Sequence, residues 1–84
     1  MTNDAVWETV VHIMRETFDD DSLEVTRATA AKDVAGWDSI ANIELLVALQ
    51  TALGVKLRTG EIAGLKNVGE LADTLTARVR AAGR

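Results

Sequence analysis

The sequence predicts an all-α fold, a small bundle of three to four helices with a long loop between the first two main helices. Apolar residues recur at helical spacing in separate segments, and capping and stop residues bracket those segments. The one stretch that alternates like a strand, Val55-Lys56-Leu57-Arg58, has no second strand to pair with and reads as an extended loop. Eighty-four residues, 48% of them hydrophobic, suit a single domain over 1–84, near the size where burial becomes marginal. Without cysteine there is neither a disulfide framework nor a thiolate metal site, so packing must hold the fold.

The first helix is expected over 3–18, with Asn3 as its cap. Val6, Val10, Ile13, Met14 and Thr17, flanked by Trp7, Val11 and Phe18, fall on one wide face at about 100° per residue. Glu8, His12, Arg15 and Glu16 occupy the other, so His12 lies between two carboxylates and reads as a surface residue. The acids Asp19, Asp20 and Asp21 oppose continuation, because negative charge is unfavourable at a helix C-terminus. From Asp19 to Gly36 no period is evident, and Leu23, Val25 and Val34 are the candidate anchors of a long loop whose acid run is a solvated segment.

The second helix is expected over 39–53, capped by the Asp38 carboxylate and stopped by Gly54 in the left-handed C′ position. Asn42, Leu45, Leu46, Leu49, Ala52 and Leu53 share its core stripe. Ile40, Ile43 and Val47 share the opposite face, where a helix lying on a small core should be polar. Either this face is kept apolar for contact, or loop residues or Trp37 cover it. Beyond the extended stretch, Thr59 can cap a short turn over 59–65, kept weak by Gly60 and Gly64. The last helix, 67–80, starts at Asn67 with Glu70 three residues on, carries Val68, Leu71, Ala72, Leu75 and Val79 inward, and places Arg78 and Arg80 near its C-terminus.

Thirteen acidic residues against nine basic give a net charge of −4, which argues against a nucleic-acid partner and for a basic protein surface. The longest apolar runs are too short to span a membrane, and the N-terminus lacks a basic secretory n-region, so a cytoplasmic protein with no membrane partner is expected. The single His12 cannot build a multi-histidine site, and no metal site is expected. No catalytic residues emerge either. Ser39 has no histidine or lysine close in sequence to take its proton, Asp38 is better placed to cap than to act as a base, and glycine-rich phosphate loops and nucleophile elbows are absent. On capping chemistry alone, Asp38-Ser39 is an ordinary helix start.

The larger constellation says more. Gly36-x-Asp38-Ser39-Ile40, then Ile43-Glu44-Leu45, Gly54-Val55-x-Leu57 and Val68-Gly69-Glu70-Leu71, resembles the acyl carrier protein family in order and spacing from about Val34 to Leu75. The resemblance implies that Ser39 is the attachment point of 4′-phosphopantetheine, with Asp38 as motif residue and cap. A separate phosphopantetheinyl transferase using Mg²⁺ adds the arm from coenzyme A. The protein is then a non-catalytic monomeric carrier that holds an acyl intermediate as a thioester and offers it to loading, condensing or modifying enzymes. The site suits that role physically, because a helix N-terminus favours the phosphodiester charge.

The resemblance further implies partner contacts at Trp37, Ile40, Ile43, Glu44 and Val47, and an acyl pocket along Leu45, Leu46, Leu49, Ile62 and Leu71. Carriers of fatty acid synthesis bear several acids along this helix, whereas here Ala41, Asn42, Gln50 and Thr51 are neutral and Lys56 and Arg58 basic. That departure favours a specialised pathway, such as polyketide or a related acyl or aminoacyl assembly line, over the primary fatty acid carrier, with carriage of primary fatty acid or of aminoacyl and peptidyl intermediates as the alternative. The alternatives are a helical interaction module that binds through Ile40, Ile43 and Val47 without a prosthetic group, and a small hydrolase, which the lack of a base for Ser39 disfavours.

Overall fold

The structure, a computed structural model, describes residues 3–58 and 65–83. Among them are helices α1 (Asn3–Thr17), α2 (Ser39–Leu53) and α3 (Val68–Ala81), one 3₁₀ turn (Ala31–Asp33) and no strand. The all-α bundle is therefore as the sequence predicts. The expected turn at 59–65 lies outside the described residues except for Leu65, which is not helical. No helix among the described residues is long and apolar enough to cross a membrane.

Helix α1 packs against both α2 and α3. Val6, Val10, Ile13 and Met14 of α1 meet Leu45, Leu46, Leu49 and Leu53 of α2 and Val68, Leu71, Ala72, Leu75 and Val79 of α3 in one core. Val55 closes it below Gly54, and Trp7, Phe18, Leu23, Val25 and Trp37 pack at its margins. Burying a Leu or Val side chain contributes about 1.5–3 kcal/mol, so this cluster is the main source of stability in a chain without cross-links.

The helix ends explain much of the sequence between the helices. Asp19 adopts a left-handed φ of 50°, its amide donates to Glu16 O and the Asp20 amide donates to Arg15 O. That is a Schellman stop, in which a short polar side chain tolerates the conformation glycine usually supplies. The Asp20 carboxylate then accepts from the amide and hydroxyl of Ser22. The acid run is thus exposed, as expected, and also builds the turn out of α1. Gly54, at φ 67°, stops α2 in the same manner, with its own amide and that of Val55 donating to Gln50 O. Asn3 is not seen as an N-cap: it is the first described residue of α1, and its Oδ1 accepts from Arg80 Nη2 at 2.7 Å, tying the two chain ends together.

The long loop is more ordered than its lack of period suggests. Thr26 N–H donates to Thr29 Oγ1, and the Asp33 carboxylate accepts from Ala30 N–H. Two loop carbonyls, Arg27 O and Thr29 O, then accept from the first free amides of α3, Gly69 N at 2.9 Å and Val68 N at 2.8 Å. Asn67 Oδ1 takes the Glu70 amide at 2.9 Å, so the N-terminus of α3 is capped by side chain and loop together. Arg27 adds an ion pair to Asp73, exposed and hence of small energetic weight.

Gly69 is required by this contact. A Cβ there would sit 2.8 Å from Arg27 O and 2.9 Å from Arg27 Cβ. In an open helix Gly→Ala stabilises by about 1 kcal/mol. Gly69→Ala is expected to do the reverse, lowering stability by about 1–3 kcal/mol in urea denaturation, because backbone must move aside. A stabilised variant would show that the loop does not bear on α3.

Candidate functional site

The Asp38 backbone is extended, its carbonyl accepts from Asn42 N–H at 2.9 Å and its carboxylate accepts from Ala41 N–H at 2.8 Å. Ser39 is consequently the first residue of α2. Its side chain is exposed, and its amide and that of Ile40 have no acceptor among the described residues. These open donors and the helix dipole together form an environment for a negatively charged ester at the serine oxygen.

The approach to Ser39 is pinned. Gly36 turns the chain at φ 84°, Trp37 N–H donates to Val34 O, and Asp38 N–H donates to Gly36 O at 3.0 Å. Val34 is buried, and the Trp37 ring packs on Phe18 at 5.7 Å between centroids with a tilt of 48°. Trp37 Nε1–H donates to Asn42 Oδ1 at 3.0 Å, locking the residue before the cap to the first turn after it. No described side chain pairs with the Ser39 hydroxyl. His12 lies on the surface of α1 and pairs with Glu16 at 2.8 Å.

Two surfaces adjoin the serine. On the outward face of α2, Ile40, Ile43 and Val47 are 70%, 62% and 56% exposed, with Glu44 exposed among them. Nothing in the described chain covers this row, because Trp37 turns inward instead. Trp37 therefore does not join Ile40, Ile43, Glu44 and Val47 in the outward row. On the inward side lies a cleft of about 420 Å³ between the N-terminal parts of α2 and α3, lined by Trp37, Asp38, Ser39, Asn42, Leu46, Leu65, Lys66, Asn67 and Leu71 together with Ala31.

Of the residues expected to form an acyl pocket, Leu46 and Leu71 line this cleft. Leu45 and Leu49 do not: both are fully buried in the core shared with α1. Ile62 lies outside the described residues. The expected core stripe of α2 needs two corrections. Ala52 is exposed although Leu53 beside it is buried, and Asn42 is half-buried at the cleft. Sequence reasoning missed Asn42, Lys66 and Asn67 as cleft residues; for Asn42 the available signal was that a half-buried tryptophan needs an acceptor for its indole N–H, and for Lys66 and Asn67 there was none.

Comparison with known proteins agrees with this geometry. The family model described as phosphopantetheine attachment site matches residues 8–75. Among solved structures, the solution NMR structure of a holo acyl carrier protein from Geobacter metallireducens superposes with a TM-score of 0.86 at 38% sequence identity, covering 92% of this chain and 88% of that one. No curated protein matches the sequence. Fold and site thus define a carrier domain for a covalently held 4′-phosphopantetheine arm. The chain belongs to the acyl carrier protein family.

The cap that presents the serine is testable by stability alone. Asp38→Ala is expected to cost about 1 kcal/mol, whereas Asp38→Asn, which keeps the acceptor, should cost only a few tenths. Equal losses in chemical denaturation would mean that the carboxylate contributes through charge and not through capping.

Proposed function

We propose that Ser39 carries the 4′-phosphopantetheine arm and that the protein delivers acyl groups to enzymes of a specialised pathway, of polyketide or related type. The observation that carries this reading is the position of Ser39: an exposed hydroxyl at the first residue of α2, between the exposed row that begins at Ile40 and the cleft. In loading, Ser39 Oγ bonds to the pantetheine-side phosphorus of coenzyme A, the pyrophosphate link breaks, and the adenosine bisphosphate leaves. No described residue is placed to take the serine proton, so the base belongs to a separate transferase. When bound, the arm supplies a terminal thiol that holds acyl groups as thioesters, the chemistry a cysteine-free chain lacks.

Docking falls to Ile40, Ile43, Glu44 and Val47, with Asp38 meeting a basic group of the partner. Glu44 is the one acid on α2, so apolar contact carries more of the recognition than charge. That neutrality supports a specialised partner set. Residues 1–84 act in this reading as one monomeric carrier domain in the cytoplasm, where coenzyme A and the transferase are met.

Incubation with coenzyme A, Mg²⁺ and a broad-specificity transferase is expected to add one phosphopantetheinyl group by mass spectrometry. Ser39→Ala should remain folded and unmodified. Failure of the wild type to load with several transferases would remove the carrier reading. Val47→Asp, at an exposed position, should leave stability within about 0.5 kcal/mol and slow loading about tenfold. An unchanged loading rate would move transferase docking off this face.

A further inference from the structure

We propose that the cleft beside Ser39 selects acyl groups bearing oxo oxygens over plain alkyl chains, through the side-chain amides of Asn42 and Asn67; this rests on Ser39 carrying the arm. Two hydrogen bonds at the cleft have a fixed direction. Trp37 Nε1–H can only donate, so Asn42 turns its Oδ1 toward the indole. The Glu70 amide can likewise only donate, so Asn67 presents Oδ1 to it. Each bond determines the orientation of its amide and leaves the Nδ2 group, with its two N–H donors, free of any acceptor among the described residues. Both asparagines are half-buried and both line the cleft.

Lys66, an exposed residue, also lines the cleft, and its ammonium is a donor without acceptor capacity. Asp38 is the exception: its Oδ1 takes the Ala41 amide, and the exposed carboxylate keeps further acceptor capacity beside Ser39. Leu46, Leu65 and Leu71 supply apolar contact between these groups. The cleft is therefore apolar in body and rich in donors. A saturated chain entering it would strip water from the donors without replacing the lost bonds, which costs more than a missing contact. An oxo-substituted chain brings acceptors for the two side-chain amides, and sites built to hydrogen-bond a substrate discriminate strongly against analogues that cannot.

The test loads the full chain with hexanoyl and β-oxohexanoyl groups from the corresponding coenzyme A thioesters. Two readouts follow: the side-chain NH₂ resonances of Asn42 and Asn67, and protection of each thioester from hydrolysis relative to the same thioester on free pantetheine. The β-oxo cargo is expected to shift both NH₂ pairs and to gain about fivefold more protection than hexanoyl for each hydrogen bond made. Asn42→Asp and Asn67→Asp retain the acceptors for Trp37 and Glu70, so they should fold and load normally while losing that extra protection. Equal shifts and equal protection for the two cargoes, or variants that protect like the wild type, would overturn the cargo assignment and leave the carrier reading intact. Absence of any loading would overturn the assignment of Ser39, and this inference with it.

Discussion

The backbone contact between the long loop and the N-terminus of α3 is the constraint on which the site depends. Arg27 O and Thr29 O close the open amides of α3, and the absence of a side chain at Gly69 allows the approach. The same loop runs on through the 3₁₀ turn and the buried Val34 to Trp37 and Asp38, which set the start of α2. One loop thus fixes the beginnings of two helices that otherwise meet mainly through α1. Ser39 and Leu46 on one wall of the cleft are registered in this way against Asn67 and Leu71 on the other.

Helix α2 is apolar on opposite faces for opposite reasons. Its inner leucines complete a closed core with α1 and α3. Its outer row buries nothing within the described chain. Gln50, between the two faces, is engaged structurally: Nε2 donates to Leu46 O at 3.0 Å and Oε1 accepts from Leu57 N–H at 2.8 Å. A glutamate could accept that amide but not donate to the helix carbonyl, so neutrality at position 50 has a structural cause as well as a bearing on docking.

Much of this was legible from periodicity and caps. The limits of α2, the left-handed Gly54, the Asp38 and Asn67 caps and the exposed row all follow from local rules that the structure obeys. The loop was not legible, because its order comes from contacts with α3 some forty residues away in sequence, and such contacts leave no period. Asn42 was misplaced for a related reason. A helical wheel assigns a face but not the depth of the core beneath it, and the core ends where the cleft begins. Leu45 and Leu49 lie on the inward side of α2 but are fully buried in the core and do not line the cleft.

What the site lacks is as informative as what it holds. The Ser39 hydroxyl is presented on a fixed turn, and no described side chain pairs with it. Selectivity in such a carrier can reside only in surfaces the arm and its partners meet. Here the outer surface is apolar and nearly neutral, while the inner one is polar through neutral amides whose orientations are fixed by Trp37 and by the cap of α3. Residues that first secure the fold thereby also set the hydrogen-bonding character of the cleft, and the two roles separate at the asparagines, where the oxygen serves the structure and the nitrogen is left without an acceptor among the described residues.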